Sequence, residues 1–353
     1  MLDRPARVGV IGCGTQGQIH CRVIRELGES EAVVAAHCDL SEERLAKVSQ
    51  HWPQARAAKD YRQMLEPGDL DLAIVATMPN THAAMCLAAI EAGAHVLCEK
   101  PFMMNLEEAG QVLGAAGKTG RYVQVGTNMR YMSTSRYLRD LVASGQVGEP
   151  VFCKAWGCHH GPPVWGPHYE LAKSGGGVLA STLIHGLDLA IWVGGSPNPV
   201  SVSASTRRLF PGKRGATVRP EVRERYDAED LLVALVRFDN GATYLLEGNW
   251  CDEVKDWHRF ELVTTRGTLT SGNPFSVKMD EEGVVVDRTP ELQGREDWYD
   301  SWHDSLRLQD ADIIGRIRQG KPWEMQDHRQ LLNLQRIVDG CYESARTGRE
   351  IAF

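Results

Sequence analysis

Arg7-Val8-Gly9-Val10-Ile11-Gly12-Cys13-Gly14-Thr15-Gln16-Gly17 is the stretch that decides the fold. Arg7–Ile11 reads as a short apolar strand, and it runs through a GxGxxG turn into a helical stretch reaching about Leu27. Gly12 permits the tight turn out of the strand. Gly14 lets the backbone approach a pyrophosphate, where a side chain would collide, and Gly17 allows close helix–strand packing. The helix N-terminus, with Thr15 and Gln16 in its approach, offers free N–H groups and a positive dipole end to phosphate. The spacing alone is common. Its setting after a strand, opening a helix and answered by an acidic residue at the end of the next strand, reads as a dinucleotide fingerprint.

That acidic residue is Asp39, which closes the strand Ala32–Cys38. Its carboxylate is expected on the adenosine ribose hydroxyls and would repel a 2′-phosphate, and Leu40-Ser41-Glu42-Glu43 supply no immediate Arg to compensate. NAD is therefore favoured, while Arg44 one turn later keeps NADP open. A helix-capping aspartate is the plainer alternative for Asp39, although Ser41 with Glu42 and Glu43 already looks like a helix start. Further along, Asp71–Thr77, Ala94–Cys98 and Tyr122–Val125 read as strands. His82–Ala92, ended by Gly93, and Leu106–Ala116 read as helices. Short apolar strands alternating with helices specify an α/β, doubly wound parallel sheet of the Rossmann kind. Thr77, which closes the third strand, and Asn80 and His82 beyond it join Gly12, Gly14, Thr15, Gln16, Gly17, Asp39, Glu99 and Lys100 as the expected cofactor-binding set.

At 353 residues, with 42% apolar and 24% charged residues, the chain is long enough for about two domains of ordinary composition. A net charge of -7 argues against a nucleic-acid partner, which needs a local excess of Lys and Arg. No apolar run approaches the roughly 20 residues needed to cross a bilayer. Met1-Leu2-Asp3-Arg4-Pro5 leads directly into the first strand without a signal-like apolar region, so no membrane partner is expected. The nine cysteines are scattered, odd in number and free of CxxC pairs, which reads as reduced thiols in the cytoplasm. Cys153, Cys158, His159 and His160 lie close together, but the second ligand cluster of a structural zinc site is missing, so no metal is expected.

Glu99-Lys100-Pro101, inside Ala92-Gly93-Ala94-His95-Val96-Leu97-Cys98-Glu99-Lys100-Pro101, follows the fourth strand. Val125-Gly126-Thr127-Asn128-Met129-Arg130-Tyr131, Gly145-Gln146-Val147-Gly148, Gly175-Gly176-Gly177-Val178-Leu179, His185-Gly186-Leu187-Asp188 and Ser344-Ala345-Arg346-Thr347-Gly348 follow in order. With the glycine loop, this series resembles the glucose–fructose oxidoreductase/inositol dehydrogenase/MocA family. The resemblance implies a Rossmann domain over 1–127. It also implies a substrate-binding and oligomerisation α/β domain over 128–353, built on a large, open, mostly antiparallel sheet, and a homodimer or homotetramer. The second domain has its own signals. Leu231–Phe238 and Ala242–Asn249 flank the turn Asp239-Asn240-Gly241, Arg259–Thr264 and Thr268–Thr270 flank Arg266-Gly267, and Asp310–Gln319 and Leu331–Ala345 read as helices.

Hydride transfer between an alcohol and nicotinamide needs a group to exchange the hydroxyl proton and positive charge to stabilise the alkoxide. Lys100, just past the end of a parallel strand, can supply the charge, and the resemblance puts the matching lysine on both substrate and cofactor. His185 matches the family's acid/base histidine, with a buried structural histidine as the alternative. Many relatives carry an Asp four residues earlier, where this chain has Ser181; on a helix that carboxylate would face and charge the ring, whereas serine can only orient it. Asp188 is given a supporting role, and Tyr169, with His168 beside it, is the second choice of proton donor. Asn128, Arg130 and Trp165 are candidate substrate-lining residues with Lys100, Ser181 and His185. Trp156, Trp165, Trp250 and Trp257 could stack on a sugar, or lie in the core or in a subunit contact. The arginine-rich segment Arg207–Arg225 is read as a solvated loop, with closure on an anionic substrate as the alternative. The expected activity is an NAD(P)-dependent oxidoreductase acting on a secondary alcohol or ketone of a carbohydrate-like substrate: a sugar, aminosugar or cyclitol. A redox glycosidase or lyase that retains its NAD, and a non-catalytic dinucleotide-binding regulator, are the alternatives.

Overall fold

A computed structural model describes every residue except 163–165, 213–218, 273 and 293–297, and gives the backbone alone for 212, 254–258 and 298–301. In chain order the first elements are β1 (Ala6–Ile11), α1 (Thr15–Leu27), β2 (Ala32–Cys38), α2 (Glu42–His51), β3 (Arg56–Ala58), α3 (Tyr61–Leu65), β4 (Leu72–Val75), α4 (His82–Glu91), β5 (His95–Cys98), α5 (Leu106–Thr119) and β6 (Val123–Val125). Then come α6 (Ser133–Ala143), β7 (Pro150–His160), α7 (Leu171–Ser174), α8 (Ile184–Val193), β8 (Pro199–Arg207), α9 (Pro220–Arg223), β9 (Leu231–Phe238) and β10 (Thr243–Asn249). The last are β11 (Cys251–Thr264), β12 (Gly267–Thr270), β13 (Ser276–Glu281), β14 (Val284–Asp287), α10 (Trp298–Gln319), α11 (His328–Thr347) and β15 (Ile351–Ala352).

The chain forms two compact units, Met1–Asn128 with Trp302–Leu332, and Met129–Ser301 with Asn333–Phe353. In the first, six parallel strands run in the order β3-β2-β1-β4-β5-β6, and the order reverses between β1 and β4. Both sheet faces are covered, and β4 shows why its sequence is apolar at every position. Leu72 and Ile74 pack with Cys21, Ile24, Leu45 and Val48 of α1 and α2, while Ala73 and Val75 pack with Cys86, Ile90, Val112 and Leu113 of α4 and α5.

One boundary differs from the sequence reading, which left everything after residue 127 in the second domain. Trp302–Leu332 returns to the first unit. The physical reason is burial: Ile313, Ile314 and Trp323 complete the apolar layer on the α1/α2 face. Gln326 also accepts a hydrogen bond from Val125 N–H at 2.7 Å and donates to Thr127 Oγ1 at 2.5 Å.

The second unit carries a nine-stranded sheet in the order β14-β13-β12-β11-β7-β10-β9-β8-β15, antiparallel throughout except for the β10–β7 pair. Alternate residues of β9 and β10 are buried, so one face is covered and the other is left open. The expected hairpin turns with Gly241 at φ 84°. By length and composition Leu171–Val193 could cross a membrane, and 94% of its most apolar window is buried inside the protein, as a core helix would be. The three glycines at 175–177 hid this run in the sequence, because they read as an interruption.

Candidate functional site

In the first unit the expected cofactor residues collect at the carboxyl ends of β1, β2, β4 and β5, around the strand-order reversal. Gly12 has φ 95°, and a Cβ there would stand 2.5 Å from Ala76 O; a Cβ on Gly17 would overlap Gly12 O. These two glycines are demanded by the protein's own packing. Gly14 is not: its φ of -68° suits any residue, and among the described residues a Cβ there would meet nothing within 4 Å. Glycine at 14 fits a pyrophosphate seated on the free N–H groups of α1, which a side chain would obstruct.

Asp39 is fixed by the backbone of this turn. One carboxylate oxygen accepts from Cys13 N–H at 2.8 Å and the other from Ser41 N–H at 2.8 Å. Arg44 lies 3.7 Å from the same carboxylate, so its charge is answered by Asp39. Ser41 caps α2 as expected. Thr77 Oγ1 lies 2.8 Å from Thr81 Oγ1, and Asn80 is exposed. His82 corrects the cofactor set. It is fully buried, with Nδ1 3.0 Å from Pro101 O and 3.1 Å from Phe102 O, and Nε2 3.2 Å from Thr77 O. Burial lowers its pKa. A buried ring enclosed by backbone carbonyls on both nitrogens ties the loop after β5 to the end of β4 and has no edge left for a ligand.

Lys100 follows Glu99 at the end of β5, and the Lys100–Pro101 peptide is cis. Burial lowers the lysine's pKa, opposed by the charge of Glu99. Glu99 faces inward: one oxygen accepts from Gln16 Nε2 at 3.0 Å and the other from Lys100 N–H at 3.2 Å. Glu99 and Gln16 therefore meet each other, where the sequence reading gave each to the cofactor separately. Asn128 is also turned inward, donating to Ser305 Oγ at 2.8 Å and to Trp302 O at 3.3 Å, so its amide is committed to α10 and not to a substrate.

In the second unit His185 opens α8, and Ser181 lies in a π-helical turn, Leu179–Leu183, that leads directly into it. Such turns are wider than an α-helical turn and recur at functional sites. Both side chains are buried. Asp188 is paired with Arg130 through two hydrogen bonds of 2.8 and 2.6 Å, and both are buried. This corrects the expectation that Arg130 lines a substrate cleft, since its fork is closed on a carboxylate. Tyr169 is buried, stacks on Tyr226 with ring centres 5.8 Å apart, and accepts from Arg225 at 3.3 Å. Arg225 in turn pairs with Glu170 at 2.9 Å.

Trp250 is a core residue whose indole donates to Thr182 Oγ1 at 2.9 Å, and Trp156 lies on the half-open sheet face beside Lys154 and Arg259. Trp165 lies outside the described residues, as do the side chain of Trp257 and part of the arginine-rich segment. None of the nine cysteines forms a disulfide. The members of the cysteine–histidine run on β7 have different partners. His159 lies 3.2 Å from Thr182, His160 lies 3.2 Å from Glu253, and Cys158 groups with Glu247 and Asp252, their ligand atoms within 4.8 Å of one another.

Residues 6–127 match the family described as Oxidoreductase family, NAD-binding Rossmann fold, and residues 135–270 match the GFO/IDH/MocA C-terminal domain. The chain belongs to the GFO/IDH/MocA oxidoreductase family. It is an NAD-binding oxidoreductase with the parallel and open mixed sheets of that family. Among its relatives is D-glucoside 3-dehydrogenase of Escherichia coli (strain K12), 29% identical over 99% of this chain and 98% of that protein. Myo-inositol 2-dehydrogenase of Thermotoga maritima is 25% identical over 90% of this chain and 89% of its own length. The fold is also that of levoglucosan dehydrogenase, solved with NADH and levoglucosan: TM-score 0.85, 19% identity and 99% of each chain covered.

Sequence reasoning missed His20, Asp310 and Gln326. The first had a signal, a histidine three residues past Gly17 on the inward face of α1. The other two had none, because they lie 290 and about 200 positions from the groups they meet.

Proposed function

We propose that this chain is an NAD-dependent dehydrogenase or ketoreductase acting on a secondary alcohol or ketone of a sugar, aminosugar or cyclitol. The observation that carries the reading is Gly14, a glycine with open space above it, beside Asp39 and Lys100 at the same ends of one parallel sheet. The names of the relatives support the substrate class. When bound, the nicotinamide supplies or accepts the hydride. Gly12, Gly14, Thr15, Gln16, Gly17, Thr77 and Asn80 hold the dinucleotide, and Asp39 takes the adenosine ribose hydroxyls. With Arg44 answered by Asp39, NAD is the preferred form.

Lys100 holds positive charge where an alkoxide develops, which lowers the cost of removing the hydroxyl proton. His185 takes that proton in oxidation and returns it in reduction, with Tyr169 as second choice and Ser181 contacting substrate. Nine cysteines without a disulfide support residence in the cytoplasm. The half-open sheet face supports a homodimer or homotetramer.

The test is absorbance of reduced nicotinamide with NAD and a panel of sugars, aminosugars and cyclitols, with Lys100→Ala and His185→Ala alongside. Substrate-dependent reduction that each substitution cuts to a small residual rate supports the reading. NAD binding without reduction by any compound overturns it in favour of a retained-cofactor lyase or a regulator.

A further inference from the structure

His20 on α1 has no solvent exposure. Its Nδ1 lies 2.7 Å from Asp310 Oδ2 and its Nε2 lies 3.1 Å from Glu99 Oε1. Two carboxylates each ask the ring for a proton, and only imidazolium carries a proton on both nitrogens. Burial by itself would lower the ring's pKa; Asp310 and then Glu99 overcome it and raise the pKa to about 10. The same pairing holds Glu99 below its ordinary range, against its own burial.

Each carboxylate is anchored again on its far side. Glu99 takes Gln16 Nε2 and the Lys100 N–H, and Asp310 Oδ1 lies 3.4 Å from Gln309 Nε2. A Cβ on Gly126 would stand 2.9 Å from Glu99 Oε1, so the carboxylate fills the space that glycine leaves. The groups facing His20 are thus Glu99 from the end of β5 and Asp310 from α10, with Lys100 next to Glu99 and Cys21 next along α1.

We infer that His20 and Asp310 are positioning residues: a buried carboxylate–imidazolium–carboxylate clamp that fixes Glu99 and so joins Gln16 of the glycine loop to the Lys100 peptide. The catalytic consequence rests on the dehydrogenase reading above. Buried charges persist only when paired and hydrogen-bonded, and this clamp pairs each charge with a specific atom of a motif used for function. It sets the distance between the dinucleotide loop and the lysine, which packing of apolar side chains would leave less defined.

Three measurements on the full chain test it. First, nitrogen NMR of histidine-labelled wild type at about pH 8.5 is expected to show one ring protonated on both nitrogens, a signal missing from His20→Gln. A neutral ring would overturn the clamp. Second, His20→Gln, and the milder Asp310→Asn, which keeps an acceptor atom, are expected to lower kcat about tenfold or more while changing the KM for NAD less than about threefold. Asp310→Asn should also move the alkaline fall of kcat to lower pH. Third, in a Lys100→Ala background the same substitutions should lower the residual rate by less than about twofold. Losses that multiply fully with Lys100→Ala, or folded variants with unchanged kcat, would overturn the positioning role. A wild type that shows the imidazolium but transfers hydride with no polyol would remove the dehydrogenase reading and the catalytic role with it.

Discussion

Asp188 closes on the guanidinium of Arg130 through two hydrogen bonds, 2.8 and 2.6 Å, with each side chain 3% exposed. Arg130 also lies over the Trp192 ring at 5.6 Å. Removing one partner of such a pair strands a buried charge, which costs about 3–5 kcal/mol. Asp188→Ala is therefore expected to lower unfolding free energy by about that amount in urea titration, and Arg130→Ala by a similar amount. A folded, equally stable Arg130→Ala whose KM alone rises would restore Arg130 to the substrate.

Gly14 and Gly17 separate ligand demand from packing demand. Gly14→Ala places its methyl in open space at an ordinary φ, so stability should hold or rise by about 0.4–1 kcal/mol through the unfolded chain. Its affinity for NADH, read by nicotinamide fluorescence, should fall about tenfold or more. Gly17→Ala overlaps Gly12 O and should lose stability as well. Unchanged NADH affinity in Gly14→Ala would place the pyrophosphate elsewhere.

Asp39→Ser removes the charge that opposes a 2′-phosphate and releases Arg44, 3.7 Å away, from its partner. The ratio of kcat/KM for NAD to that for NADP should fall about tenfold or more, since each hydrogen bond to a charged group is worth about 1.5–3 kcal/mol. An unaltered ratio would leave Asp39 as a turn residue for Cys13 and Ser41 N–H.

His95 accepts from Tyr122 N–H at 3.0 Å and stacks on the Tyr122 ring at 5.4 Å. Burial, then the charge of Arg121, lowers its pKa to about 4. The unfolded chain binds the proton more readily, so stability is full above about pH 6.5 and declines as pH falls towards 4. Thermal midpoints measured across that window should drop in wild type. They should drop less in His95→Asn, which keeps an acceptor for Tyr122 and does not titrate.

The places of the glycine loop, Asp39 and Lys100-Pro101 at the strand ends were legible because they follow from backbone geometry within a few residues. The parallel order was legible because β4 is apolar on both faces, and the hairpin at Gly241 because only a few residue types turn there. The direction of buried polar side chains was not. Asn128, His82 and Arg130 have the chemistry of a cleft and the partners of a core, and those partners lie 177, 20 and 58 positions away. The π turn before His185 was hidden because helical periodicity in an entirely buried run has no polar face to time it.

The return of Trp302–Leu332 to the first unit orders events during synthesis. A ribosome that has delivered residues 1–128 has delivered every strand of the parallel sheet but not Ile313, Ile314 and Trp323, which complete the apolar layer on one of its faces. Until those residues emerge, the layer that α1 and α2 begin on that face stays incomplete, and His20 has Glu99 but not Asp310. The sheet that reads first in the sequence is thus among the last parts of the protein to be finished.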